Sequence, residues 1–151
     1  MNFEFKRQVY QTCESEIASK IAHLLQGLKD LKISAANETK STAGDKYETA
    51  LAMLQIEQAN VNKQLQIYKD QQLALQKINP DHQVSTIGLG SLVSTDVNYF
   101  FLSVAVGKIE VDGITIFAIS PLSPLGAKLL GLQEGDTVSV NNRAYCILNV
   151  G

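Results

Sequence analysis

Two regimes of hydrophobic spacing divide the chain. In the first, apolar side chains fall at Val9, Cys13, Ile17, Ile21, Leu24, Leu28, Leu31 and Ala35. Steps of four and three keep such a stripe on one face of a helix. The steps resume through Tyr47, Leu51, Leu54, Gln58, Val61, Leu65, Tyr68, Gln72 and Leu75. This predicts a second helix whose seam carries two glutamines able to fix register. The segment between them, Ala35-Ala36-Asn37-Glu38-Thr39-Lys40-Ser41-Thr42-Ala43-Gly44, is small and polar, as a reversal of direction requires. The pattern therefore predicts an antiparallel coiled-coil hairpin over residues 1–79 with its tip at about residues 35–46. Arms of about thirty residues run on the order of 45 Å, longer than the core of a small domain needs, so the hairpin is expected to project.

Beyond Asn79-Pro80-Asp81 the chain becomes Gly-punctuated and β-branched. Of ten glycines only Gly27 and Gly44 precede residue 80, and all three prolines lie at or after it. Strand-like runs are predicted at residues 90–95, 99–106, 114–119, 137–140 and 145–150, separated by turn residues. One short helix interrupts them: Ser123 can cap it, Pro124 suits its first position, Leu125 to Leu130 form its body and Gly131 its left-handed exit. Residues 80–151 thus predict a small antiparallel sheet packed on a short helix, giving an α+β chain of two domains. Leu125, Leu129 and Leu130 are expected in its core.

Charge narrows the function classes. The 151 residues carry a formal net charge of −2, with ten basic and nine acidic groups before residue 80 and three and six after it. No global positive field gathers phosphates, which argues against autonomous nucleic-acid binding. Lys29, Lys32, Lys40 and Lys46 form at most a local patch. The longest apolar stretch, residues 99–107, is half of what a membrane span needs, and Glu4, Lys6 and Arg7 stand where a signal sequence is apolar, so a cytoplasmic protein is expected. Cys13 and Cys146 lie in unrelated contexts without metal-ligand spacing and read as reduced structural thiols. His23 beside the first seam and His82 in the linker have no nucleophile in recognisable relation to them.

One run is more specific. Ile119-Ser120-Pro121-Leu122-Ser123-Pro124-Leu125-Gly126-Ala127-Lys128-Leu129-Leu130-Gly131 is followed by Gly135-Asp136-Thr137-Val138-Ser139-Val140 and a closing Tyr145-Cys146-Ile147-Leu148. This resembles the C-terminal domain of the Gre transcription elongation factors, whose members place a long coiled-coil hairpin before that domain. The resemblance implies an FKBP-like fold for residues 80–151 and, as partner, bacterial RNA polymerase, whose secondary channel receives the hairpin. Contact with RNA and DNA would then be indirect, and the protein a monomer with no cofactor of its own. It also implies that Ser120, Pro121, Leu122, Ser123 and Pro124 contribute to the polymerase-facing surface. Prolyl isomerase activity is not expected, because the family's globular domain is not catalytic and the chain lacks tryptophan.

The tip departs from the family pattern. Cleaving members carry Asp-Leu-x-Glu-Asn-Ala-Glu-Tyr entering the second helix, with two acids that help hold a second Mg²⁺ at the polymerase active site. Setting that tyrosine on Tyr47 puts Lys40 and Ala43 at the acid positions. The nearby acids are Glu38, Asp45 and Glu48, and a shifted register would bring Glu38 and Asp45 to the tip. Asp45 and Glu48 also read as helix-start residues, with Thr42-Ala43-Gly44-Asp45 similar to a capping box. Three functions follow: a polymerase-binding regulator without strong cleavage stimulation, a cleavage factor sharing Mg²⁺ through Glu38 and Asp45, or a hairpin module for dimerisation. None makes the chain an enzyme itself; at most it stimulates RNA cleavage by polymerase.

Overall fold

The four-three spacing folds as two long helices. The computed structural model describes the backbone of residues 3–41 and 45–151 and the side chains of residues 3–37 and 48–151. Helix α1 spans Phe3–Ser41 and α2 spans Asp45–Gln76. Packing divides the chain into two units, Ala18–Asp70 and Met1–Ile17 with Gln71–Gly151.

Within Ala18–Asp70 the helices are antiparallel. The Lys20 ammonium lies 5.5 Å from the centre of the Tyr68 ring, Leu24 and Gln64 line one shallow depression, and Leu31 and Ala35 line another with Ala50 and Leu54. Ile21, Leu24, Leu28, Leu31 and Ala35 are half-buried, as are Leu54, Gln58, Val61 and Tyr68, while Leu65 is buried. Leu51 departs from the predicted seam and is exposed, with half-buried Ala50 in its place. At about 100° per residue positions 50 and 51 straddle the seam, and the smaller side chain faces α1 beside Ala35.

In the other unit the same stripe is sealed: Val9, Cys13, Ile17 and Leu75 are at most 1% exposed. Polar groups at the helix ends find partners there. The Tyr10 hydroxyl donates to the Leu75 carbonyl at 2.9 Å, the Lys6 ammonium to the His82 carbonyl at 2.6 Å, and the Arg7 guanidinium to the Asp81 carboxylate at 2.6 Å. Burial holds the Lys6 pKa below the ordinary lysine value, partly countered by Asp81. Phe5 meets Tyr99 edge-on at 5.9 Å, a favoured aromatic geometry.

The remainder of this unit is a six-stranded sheet: β1 Leu92–Thr95, β2 Tyr99–Leu102, β3 Gly107–Val111, β4 Ile114–Ile119, β5 Thr137–Val140 and β6 Arg143–Val150. Their order is β3-β4-β2-β1-β6-β5, and α3, Pro124–Leu129, lies between β4 and β5 in sequence. Val93, Phe100, Leu102, Leu129, Tyr145 and Ile147 belong to one buried cluster. The α+β organisation is the expected one, a helical hairpin followed by a sheet and a short helix.

Three details correct the reading from sequence. The predicted run 99–106 ends at Leu102, and a separate strand, β3, follows with Ile109 and Val111 buried and Lys108 and Glu110 exposed. The sheet is not wholly antiparallel: β2 pairs with β4 in parallel, Tyr99 against Ile116 through Leu102 against Ile119. Two reversals, into β3 and out of it, restore the direction of β2 before β4 pairs with it. Finally, Leu130 is 43% exposed, because it is the C-cap residue with ψ 129° and has left the helical face that buries Leu129.

Cys13 supplies a pH test of this packing. Burial and the neighbouring Glu16 and Glu14 push its thiol up to about 12 from the ordinary 9.0. The unfolded chain therefore loses this proton first as pH rises, so the contribution to stability is complete below pH 9.0 and declines between 9.0 and about 12. Urea unfolding over that window should show wild type losing up to about 1.4 kcal/mol per pH unit more than Cys13→Ala; equal slopes would contradict the buried thiol.

Candidate functional site

The motif that singled out residues 119–131 folds as a strand end, a locked turn and a capped helix. One carbonyl, that of Ser120, organises it. It accepts from the Ser123 amide at 3.0 Å and from the Ser123 hydroxyl at 2.6 Å. That hydroxyl oxygen in turn accepts from the Gly126 amide at 3.0 Å, the capping bond expected of Ser123. The Leu122 amide donates to the Ser120 hydroxyl at 3.1 Å, so each end of the turn is tied to the other. Pro124 occupies the first helical turn as predicted. Gly126 is buried and has no alternative, since a Cβ there would lie 2.0 Å from the Ser120 oxygen. Gly131 takes the left-handed exit with φ 84°, and its amide donates to the Ile87 carbonyl at 2.9 Å.

The predicted surface residues are thereby brought together on one rigid feature. Ser120, Pro121 and Ser123 are half-buried and Pro124 is exposed. Leu122 does not fold under: it is 92% exposed at the turn's apex. An apolar side chain held out to water by a turn tied through Ser120 and Ser123 serves packing inside the chain poorly and suits an anchor for a partner.

Beside the turn runs a groove of about 560 Å³ that sequence reasoning did not find. Ser123, Pro124 and Leu125 form one wall, and Val140, Asn141 and Arg143 belong to the other. Asn141 and Asn142 have φ of 52° and 64°, the pattern of a two-residue type I′ hairpin turn, which sets Val140 opposite Arg143. Tyr145 also lines the groove. Its ring meets Phe100 edge-on at 5.5 Å, while its hydroxyl has no hydrogen-bond partner among the described residues. Asn-Asn between two strand runs was the signal for the turn; nothing local linked it to residues 119–125.

The side chains of Glu38 and Asp45 lie outside the described residues. Glu48 is exposed on α2, in the helical unit, whereas Ser120 to Pro124 belong to the unit holding the sheet. His23 is exposed, and His82 contributes its carbonyl to Lys6. The raised pKa of Cys13 keeps it a thiol rather than a nucleophilic thiolate. Among the described residues no three His, Cys, Asp or Glu side chains form a group able to hold a metal ion, and no helix is long and apolar enough to cross a membrane.

The crowding at Gly126 is testable. Gly126→Ala should lower unfolding stability in urea by about 1–3 kcal/mol, because backbone must move to admit the methyl group; an unchanged midpoint would show that the turn is not held as described.

Comparison with known proteins gives little to add to this geometry. No family model matches the chain, and no curated protein matches it. Among solved structures it is similar to one described as the structure of the transcription factor Gfh1, at 20% sequence identity over 92% of this chain and 93% of that chain, with a TM-score of 0.37.

Proposed function

We propose that this chain is a transcription regulator that binds bacterial RNA polymerase, presenting the Ser120 to Pro124 turn to the enzyme's surface and its helical hairpin to the secondary channel. The observation that carries the proposal is Leu122, 92% exposed on a turn tied through Ser120 and Ser123. It sits inside the run that resembles the Gre C-terminal motif, and an antiparallel hairpin precedes that run as in the family. The regulator does not itself cut RNA. With Lys40 and Ala43 at the positions of the family's acids, the tip is poorly suited to hard Mg²⁺, which takes oxygen ligands. No step of cleavage is assigned to Glu38, Asp45 or Glu48.

Burying one leucine contributes about 1.5–3 kcal/mol, and every 1.4 kcal/mol is about tenfold in affinity. Leu122→Asp should therefore weaken capture of purified polymerase by at least about tenfold while the circular dichroism spectrum stays that of wild type. Cleavage assays on backtracked complexes with Mg²⁺ should show no stimulation above polymerase alone. Capture indifferent to Leu122→Asp would remove the turn from the interface. Stimulated cleavage would instead favour Glu38 and Asp45 as metal-sharing acids.

A second reading, a hairpin that dimerises, is favoured by one observation. Met53, Ile56 and Ile67 are 58%, 57% and 54% exposed on α2. Light scattering on the full chain decides it: a monomeric mass is expected, and a stable dimer would make the hairpin's partner a second copy.

A further inference from the structure

We propose that the groove beside the turn receives a protein segment presenting an apolar side chain next to a carboxylate, with Arg143 as the residue that selects the acid. The inference rests on the polymerase reading only for which protein carries the segment. Its own basis is the chemistry of the groove.

The groove's volume of about 560 Å³ falls within the range of about 300–1,000 Å³ usual for ligand sites. Its apolar lining comes from Ile119, Leu125, Val140 and the ring of Tyr145. These side chains are held from behind: Tyr145 belongs to the buried cluster, and Ile119, Leu125 and Val140 pack against that cluster while staying partly open. Such a floor suits an aliphatic or aromatic side chain.

Charge fixes the second element. Residues 80–151 carry only three cations. The Lys128 ammonium is committed to the Ser139 carbonyl at 2.9 Å. Lys108 sits on β3, the edge strand opposite β5. That leaves Arg143, exposed at the groove and paired with no carboxylate among the described residues. A guanidinium offers a planar fork of donors that fits a carboxylate two bonds at a time. The Tyr145 hydroxyl, without a hydrogen-bond partner among the described residues and on the same strand two residues away, supplies a further donor. One cation over an apolar floor is the wrong design for nucleic acid, whose phosphates are tracked by several cations in a row. It matches an acidic residue adjoining an apolar anchor, with the charge setting specificity more than raw affinity.

The test uses isotope-labelled full-length protein, three short peptides of Ala and Ser, and a single-stranded oligonucleotide. One carries Leu and Glu at its centre, one Leu and Lys, and one Ala and Glu. The Leu-Glu peptide should shift the amide resonances of Val140, Arg143 and Tyr145 and bind about tenfold more tightly than either of the others. Arg143→Glu should invert the preference toward Leu-Lys, and Arg143→Gln should abolish it, with circular dichroism confirming that both variants fold. Equal affinity for Leu-Glu and Leu-Lys, an unchanged preference in Arg143→Glu, or shifts at these residues only with a single-stranded oligonucleotide would overturn the inference. Polymerase capture is measured in parallel with wild type. A protein that ignores polymerase but prefers Leu-Glu overturns the polymerase reading and upholds the groove, and a protein captured by polymerase without any peptide charge preference does the reverse.

Discussion

Two helices of 39 and 32 residues meet, among the described residues, along one narrow apolar seam, and much of this structure follows from that constraint. Isolated helices are marginal in water, and their stability in proteins comes mainly from burying an amphipathic face. Along residues 21–35 that face is only half-buried, whereas Val9, Cys13, Ile17 and Leu75 are sealed. The strongest burial is thus in the unit that also holds the sheet. The same unit satisfies Lys6, Arg7 and Tyr10 with the His82 carbonyl, Asp81 and the Leu75 carbonyl. Lys6 and Tyr10 are buried, and left without such partners they would cost more than the bonds contribute, whereas the exposed Arg7–Asp81 pair contributes little.

The periodic parts of the molecule are legible in the amino-acid sequence. All eight predicted seam positions of α1 are buried or half-buried, because a four-three repeat leaves a helix one face to hide. The Ser123 cap, the Pro124 start and the Gly131 exit were equally legible, since each rests on a local backbone requirement that few residues meet. What escaped was non-local or nearly so. Strand β3 was missed although Asp112-Gly113, with φ of 52° and 76°, is a strong hairpin signal. The parallel pairing of β2 with β4 depends on that missing strand, so one omission produced both errors. Leu51 and Leu130 were misplaced for a different reason: hydrophobicity alone does not say where a seam shifts by one residue or where a helix has already ended.

The candidate site divides the same way. The turn is contiguous in sequence, and its lock is written in Ser120, Ser123 and Gly126. The groove is assembled from β4, the start of α3 and the β5–β6 hairpin, three segments that no local pattern joins. Arg143 reads in sequence as one more charged residue. Only the fold shows that it lines a groove with apolar side chains and, among the described residues, pairs with no carboxylate. The turn and the groove adjoin through Ser123, Pro124 and Ile119, so one partner surface can engage an exposed leucine and a recessed apolar site with a single cation.

The most direct test of polymerase docking is hydrogen exchange of the full chain with and without bacterial RNA polymerase. The account predicts slowed exchange over residues 119–125 and 140–145, where the turn and groove become covered, together with slowed exchange along the hairpin. Polymerase that leaves residues 119–125 exchanging as in the free protein would contradict it.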